Sequence, residues 1–126
     1  MMILGTERTR LISGLGLPEP LLALTRGEPP HPELKYWCRK LAYSTEPEDM
    51  APKGLDMVPL WEGENSITGF VLRDGRPVFI HFDVEYIDEY RELGGDIGSV
   101  VHDLLDNIDD GCIADVARAL GYEQVP

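Results

Sequence analysis

The stretch NSITGFVLRDGRPVFIHFD, Asn65 to Asp83, decides the fold. At its centre stands Asp74-Gly75, a dipeptide favoured by the two-residue type I′ turn, whose two central positions need positive φ. β-Branched and aromatic residues on both sides suit strands. A two-residue loop also fixes the register, so opposed residues have numbers that sum to 149. Val71 then meets Val78, Phe70 meets Phe79, Thr68 meets His81 and Ser66 meets Asp83. Side chains alternate between the two faces of a strand. One face therefore carries Ile67, Gly69, Val71, Val78, Ile80 and Phe82, an uninterrupted core face. The other is split: Phe70, Leu72, Pro77 and Phe79 lie near the turn, and Ser66, Thr68, His81 and Asp83 lie at the far end. Such a half-apolar second face is either covered or used for contact.

Upstream, LDMVPLWE (55–62) reads as a further strand with an edge or bulge at Pro59. Downstream, VEYIDEYRELGGD (84–96) reads as a connection with one helical turn, ending at Gly94-Gly95. Asp96 or Ser99 then caps a helix to about Ile108, with Ile97, Val100, Val101, Leu104, Leu105 and Ile108 as its apolar stripe. A last short helix spans 112–121, with Ile113, Val116, Ala117 and Leu120 inward and Gly121 just past its end. At the other end of the chain, Thr6 is expected to cap a helix to Gly14. A second follows from Pro18, with Leu21, Leu22 and Leu24 buried and Gly27 as its stop. Between 28 and 53 the pattern is ambiguous. Leu34, Trp37, Cys38 and Leu41 have helical spacing, whereas Tyr36, Trp37 and Tyr43 favour a strand. The segment 44–54 reads as an exposed loop. The order helix, antiparallel sheet, helices defines an α+β fold, expected as one domain over 1–126 with its core at about 15–108.

Composition narrows the function. The 126 residues suffice for one core, and the 43% of hydrophobic residues is ordinary for a soluble globular chain. No apolar run approaches the roughly 20 residues of a membrane span. Charged residues in MMILGTERTR occupy the place of an export signal's apolar stretch, so a cytoplasmic protein is expected. Cys38 and Cys112 are read as free thiols in a reducing compartment. Acids number 23 against 11 Lys and Arg, a net charge of −12, which repels phosphate backbones and argues against direct nucleic-acid binding. Ten acids and one base, Arg91, fall between Asp83 and Asp110, so that segment carries −9 of the −12. It is either a solubilising face or a docking surface for a basic partner.

A search for chemistry finds little. His81, Asp83 and Glu85 stand at i, i+2 and i+4, the side chains of a small metal-dependent enzyme if they converged. Same-side residues along one strand are about 7 Å apart, so three in a row diverge rather than enclose an ion. The other reading pairs His81 with Thr68 or Asp83 as polar residues of the sheet face. GxSxG, HExxH and P-loop patterns are absent, and Gly14-Leu15-Gly16 lacks the third glycine and the preceding strand of a dinucleotide site. No cofactor is expected.

Four pieces together resemble the SUKH superfamily of small α+β proteins, which includes bacterial immunity proteins and fungal cell-wall synthesis regulators. They are GLPEPLLAL, VPLWEGENSITGFVL, GRPVFIHFDVE and DIGSVVHDLLDNI, covering about Leu15 to Ile108. The departures are Val100 or Val101 where the last helix usually has an aromatic, and HFDVE in place of an Asp-His-Glu order. The resemblance implies a non-enzymatic protein that neutralises a toxin encoded nearby, typically a nuclease. An acidic inhibitor would complement a basic nuclease cleft. The expected contacts are Asp83, Glu85, Tyr86, Asp88, Glu89, Tyr90, Glu92 and Asp96, with Trp61 as a further aromatic that is either an anchor or core. A monomer or weak homodimer is expected, and Phe70, Leu72 and Phe79 form the patch through which a scaffold homodimer would pair.

Overall fold

A computed structural model describes residues 1–39 and 51–122. Leu41, Tyr43 and most of the expected 44–54 loop lie outside the described residues. The architecture is α+β. Four strands, β1 (Met57–Glu62), β2 (Ser66–Arg73), β3 (Arg76–Asp83) and β4 (Arg91–Gly94), form an antiparallel sheet in the order β1-β2-β3-β4. Helices α1 (Gly5–Ser13) and α2 (Glu19–Thr25) precede it, and α3 (Ile97–Leu105) and α4 (Ile113–Ala119) follow.

The hairpin has the expected register throughout, from Ser66 opposite Asp83 to Arg73 opposite Arg76. Asp74 and Gly75 have φ of 55° and 78°, as the turn requires. Gly69 in the middle of β2 answers a different need. A Cβ there would lie 2.4 Å from the Val58 carbonyl oxygen of β1, so the two strands close up only over a glycine.

Both faces are buried: the all-apolar face is core as expected, and the half-polar face is covered. The face of Phe70 and Phe79 carries the larger core, joined by Ile12, Leu21, Leu24, Leu34, Cys38 and the stripe of α3. The all-apolar face of Ile67, Val71, Ile80 and Phe82 carries the smaller one, covered by Met2, Leu55, Val84, Ile87 and Tyr90. Alternation assigned residues to faces correctly. Which face meets helices depends on the connections, and the β3–β4 connection folds back over the apolar side. Phe70 and Phe79 are buried and only Leu72 of the expected dimer patch is exposed, so the sheet offers no such surface.

A register shift between Pro59 and Trp61 makes the bulge expected at Pro59 in an edge strand. It also breaks strict alternation, so the consecutive residues Leu60 and Trp61 both enter the helix-side core. The indole nitrogen of Trp61 is buried with no hydrogen-bond partner among the described residues, a cost accepted for the burial of the ring.

Several expected boundaries move. Thr6 lies inside α1, whose N-cap is Leu4. Pro18 is the N-cap of α2 rather than its first turn, and Leu22 is only half-buried. Pro32–Leu34 forms one 3₁₀ turn, with Leu34 and Cys38 inward and Trp37 partly exposed. The α-helical part of α3 ends at Leu105, and turns carry the chain to Ile108. The 84–96 segment contains β4, not a helical turn. No helix among the described residues is long and apolar enough to cross a membrane.

Candidate functional site

Two polar features meet where β2 begins and β3 ends. The first is half-buried. Thr68 Oγ1 and His81 Nδ1 lie 2.8 Å apart on the helix side of the sheet. Arg91 stands opposite His81 on β4 and reaches α3, its Nη1 3.3 Å from Asp103 Oδ1. Two neighbouring polar pairs thus link β2 to β3 and β4 to α3. Burial pushes the His81 pKa below its ordinary value; Asp103 and Asp83 oppose the shift and Arg91 adds to it. A neutral imidazole on a buried hydroxyl is a satisfied structural pair. Thr68 is only 4% exposed, which leaves its hydroxyl out of reach of a substrate.

The second feature is the β3–β4 connection. The Asp83 carboxylate accepts the Glu85 N–H at 2.8 Å, and the Asp83 carbonyl accepts the Tyr86 N–H at 3.0 Å. Those two bonds end the strand and turn the chain, as a local aspartate side chain can. His81 therefore stays on the sheet, while Glu85 lies past the end of β3 on a turn. The expected row of three does not converge, and no group of His, Cys, Asp or Glu able to hold a metal occurs among the described residues.

The rest of the connection is pinned at intervals. The Val84 N–H bonds the Asn65 carbonyl at 2.9 Å, the Glu89 N–H bonds the Tyr86 carbonyl at 2.9 Å, and Asp88 Oδ1 accepts the Lys53 N–H at 2.8 Å. Val84, Ile87 and Tyr90 pack inward against the smaller core. With its apolar residues turned in, the connection presents Asp83, Glu85, Asp88 and Glu89 to solvent around Tyr86, whose residue surface is 60% exposed.

Not every expected contact residue is equally free. Tyr90 is half-buried. Glu92 gives its carboxylate to Arg73, 2.8 Å away across β3, which holds its pKa below the usual carboxylate range. Asp96 caps α3 by accepting the Ser99 N–H at 3.2 Å. Trp61 is core. Among the cysteines, Cys38 is buried, with its thiol pKa pushed up by burial, and Cys112 is half-buried; neither is in a disulfide.

Sequence reasoning passed over Arg8 altogether. From α1 its guanidinium donates to the carbonyls of Pro59 (2.7 Å), Thr25 (2.9 Å) and Leu60 (3.0 Å). It binds the end of α2 to the bulge of β1. An arginine in a short amphipathic helix carries no local signal of such a role.

Comparison with protein-family models, with curated proteins and with solved structures found no match.

Proposed function

We propose that the chain is a non-enzymatic, cytoplasmic immunity protein of the SUKH kind. It binds and neutralises a basic toxin, a nuclease by the resemblance, encoded beside it. The observation that carries this reading is the β3–β4 connection, with acids on its outer side, Tyr86 exposed among them and its backbone pinned by hydrogen bonds. Two physical consequences favour binding. A local excess of one charge sign speeds encounter with an oppositely charged partner. A preformed loop avoids the ordering entropy that a flexible one gives up on binding.

The contact centres on Asp83, Glu85, Tyr86, Asp88 and Glu89. Tyr90 and Glu92 contribute less, since Tyr90 packs inward and Arg73 neutralises Glu92. Asp96, which like Asp83 and Asp88 accepts a backbone N–H, lies beyond β4 at the edge of the contact. The protein acts as a monomer or weak homodimer, without a cofactor. Co-expression with the product of the neighbouring gene tests the proposal. Growth rescued by this chain, and lost again with Tyr86→Ala combined with Glu85→Gln and Glu89→Gln, is the expected result. A neighbouring product that is harmless, or that stays toxic beside the native chain, would overturn it.

A further inference from the structure

The tip of the β2–β3 hairpin carries a feature that toxin binding does not use. An open cleft of about 640 Å³ is bounded by Arg73, Asp74, Arg76, Pro77, Val78 and Gly95. Its size lies within the roughly 300–1,000 Å³ of small-ligand sites. We propose that this cleft binds a small organic acid carrying a single carboxylate.

The register explains the charge. Arg73 and Arg76 are opposed across the turn, so their side chains leave the sheet on the same face. Like charges directly opposite each other repel. Glu92 answers only one of them, through Arg73. Arg76 is exposed, with no ion pair or side-chain hydrogen bond among the described residues. A guanidinium presents a planar fork that matches a carboxylate in two parallel hydrogen bonds.

Three further facts select the ligand. Of the two guanidinium groups at the turn, Arg76 alone is unanswered among the described residues, so one negative charge completes the set. Asp74 and Glu92 stand close by and the chain carries −12, so a second negative charge on the ligand meets repulsion. Pro77 and Val78 supply apolar surface for a carbon body, and Gly95 adds backbone without a side chain. The overall negative charge opposes the entry of any anion, so selection rests on these short-range contacts and the affinity is modest.

The test uses the full chain, labelled with ¹⁵N and titrated with benzoate, with neutral benzamide and with inorganic phosphate. Saturable shifts at the amides of Gly75, Val78 and Gly95 are expected with benzoate, and weaker ones with the other two. Arg76→Gln, at an exposed position, should keep the native spectrum and weaken benzoate about tenfold. Equal binding of benzoate and benzamide, or an unchanged affinity in Arg76→Gln, would overturn the site. Phosphate binding tighter than benzoate would overturn the choice of a single carboxylate.

Discussion

Thr68 and His81 face each other across β2 and β3 with 2.8 Å between Oγ1 and Nδ1, on the side of the sheet that packs against the helices. This pair resolves the half-polar face. The inner part of its polar end lies within the fold because the groups there are paired, Thr68 with His81 and Arg91 with Asp103, while Asp83 at the outer end faces solvent. A buried polar group costs little when it is hydrogen-bonded and much when it is not.

The depressed pKa of His81 gives a signed pH dependence. The folded state holds the imidazole neutral below the pH at which the unfolded chain, near pH 6.5, starts to bind a proton. Stability is therefore full above about 6.5 and is lost as pH falls from there through the lower folded pKa. Asp103, Asp83 and Arg91 are the charges that act on it. Denaturant midpoints of the native chain and of His81→Gln, compared at pH 7.5 and 5, check this. The native chain should lose more on acidification than the variant, and parallel losses would show that His81 does not set the slope.

Arg8 should be worth more than an exposed helical arginine. Arg8→Met leaves three carbonyls without their donor, and a loss of about 2–3 kcal/mol is expected in urea unfolding. Arg8→Lys should recover only part of it, because an ammonium cannot reproduce the fork. A loss under about 0.5 kcal/mol, the range of ordinary surface changes, would mean that the three bonds merely replace water.

Gly69 is the sharpest steric test. Gly69→Ala puts a Cβ 2.4 Å from the Val58 carbonyl oxygen, 3.0 Å from the Met57 Cε and 3.0 Å from the Pro59 Cα. The β1–β2 pairing must shift, and overpacking of this kind costs about 1–3 kcal/mol or more. Thermal unfolding would read it directly. A variant as stable as the native chain would contradict the strand spacing described above.

How far the fold could be read in advance followed how local the signals were. The hairpin was legible because Asp74-Gly75 sets the turn type, the turn sets the register and alternation then sets both faces. The bulge was legible because Pro59 cannot donate a ladder hydrogen bond. β4 was not, since Arg91, Glu92, Leu93 and Gly94 have neither strand composition nor a regular alternation, and a register shift interrupts their pairing with β3. Only the presence of β3 makes them a strand. The same holds for the two faces, because a strand does not record which of its sides the helices will cover. At the site, the acids were visible as composition. That Tyr86 is exposed while Tyr90 packs inward depends on the turn at Asp83, a hydrogen bond between neighbours that spacing alone does not reveal.

A docking surface made by the pinned acidic connection would govern association kinetics. The rate at which this chain binds the product of the neighbouring gene should be measured as ionic strength rises. Steering by the acidic connection predicts a rate that falls about tenfold or more between low and high salt, with dissociation about thirtyfold faster in Tyr86→Ala. Neutralising Glu85 and Glu89, whose side chains have no hydrogen bond among the described residues, should flatten the salt dependence without changing stability. A rate indifferent to salt, with affinity untouched by all three substitutions, would contradict the account.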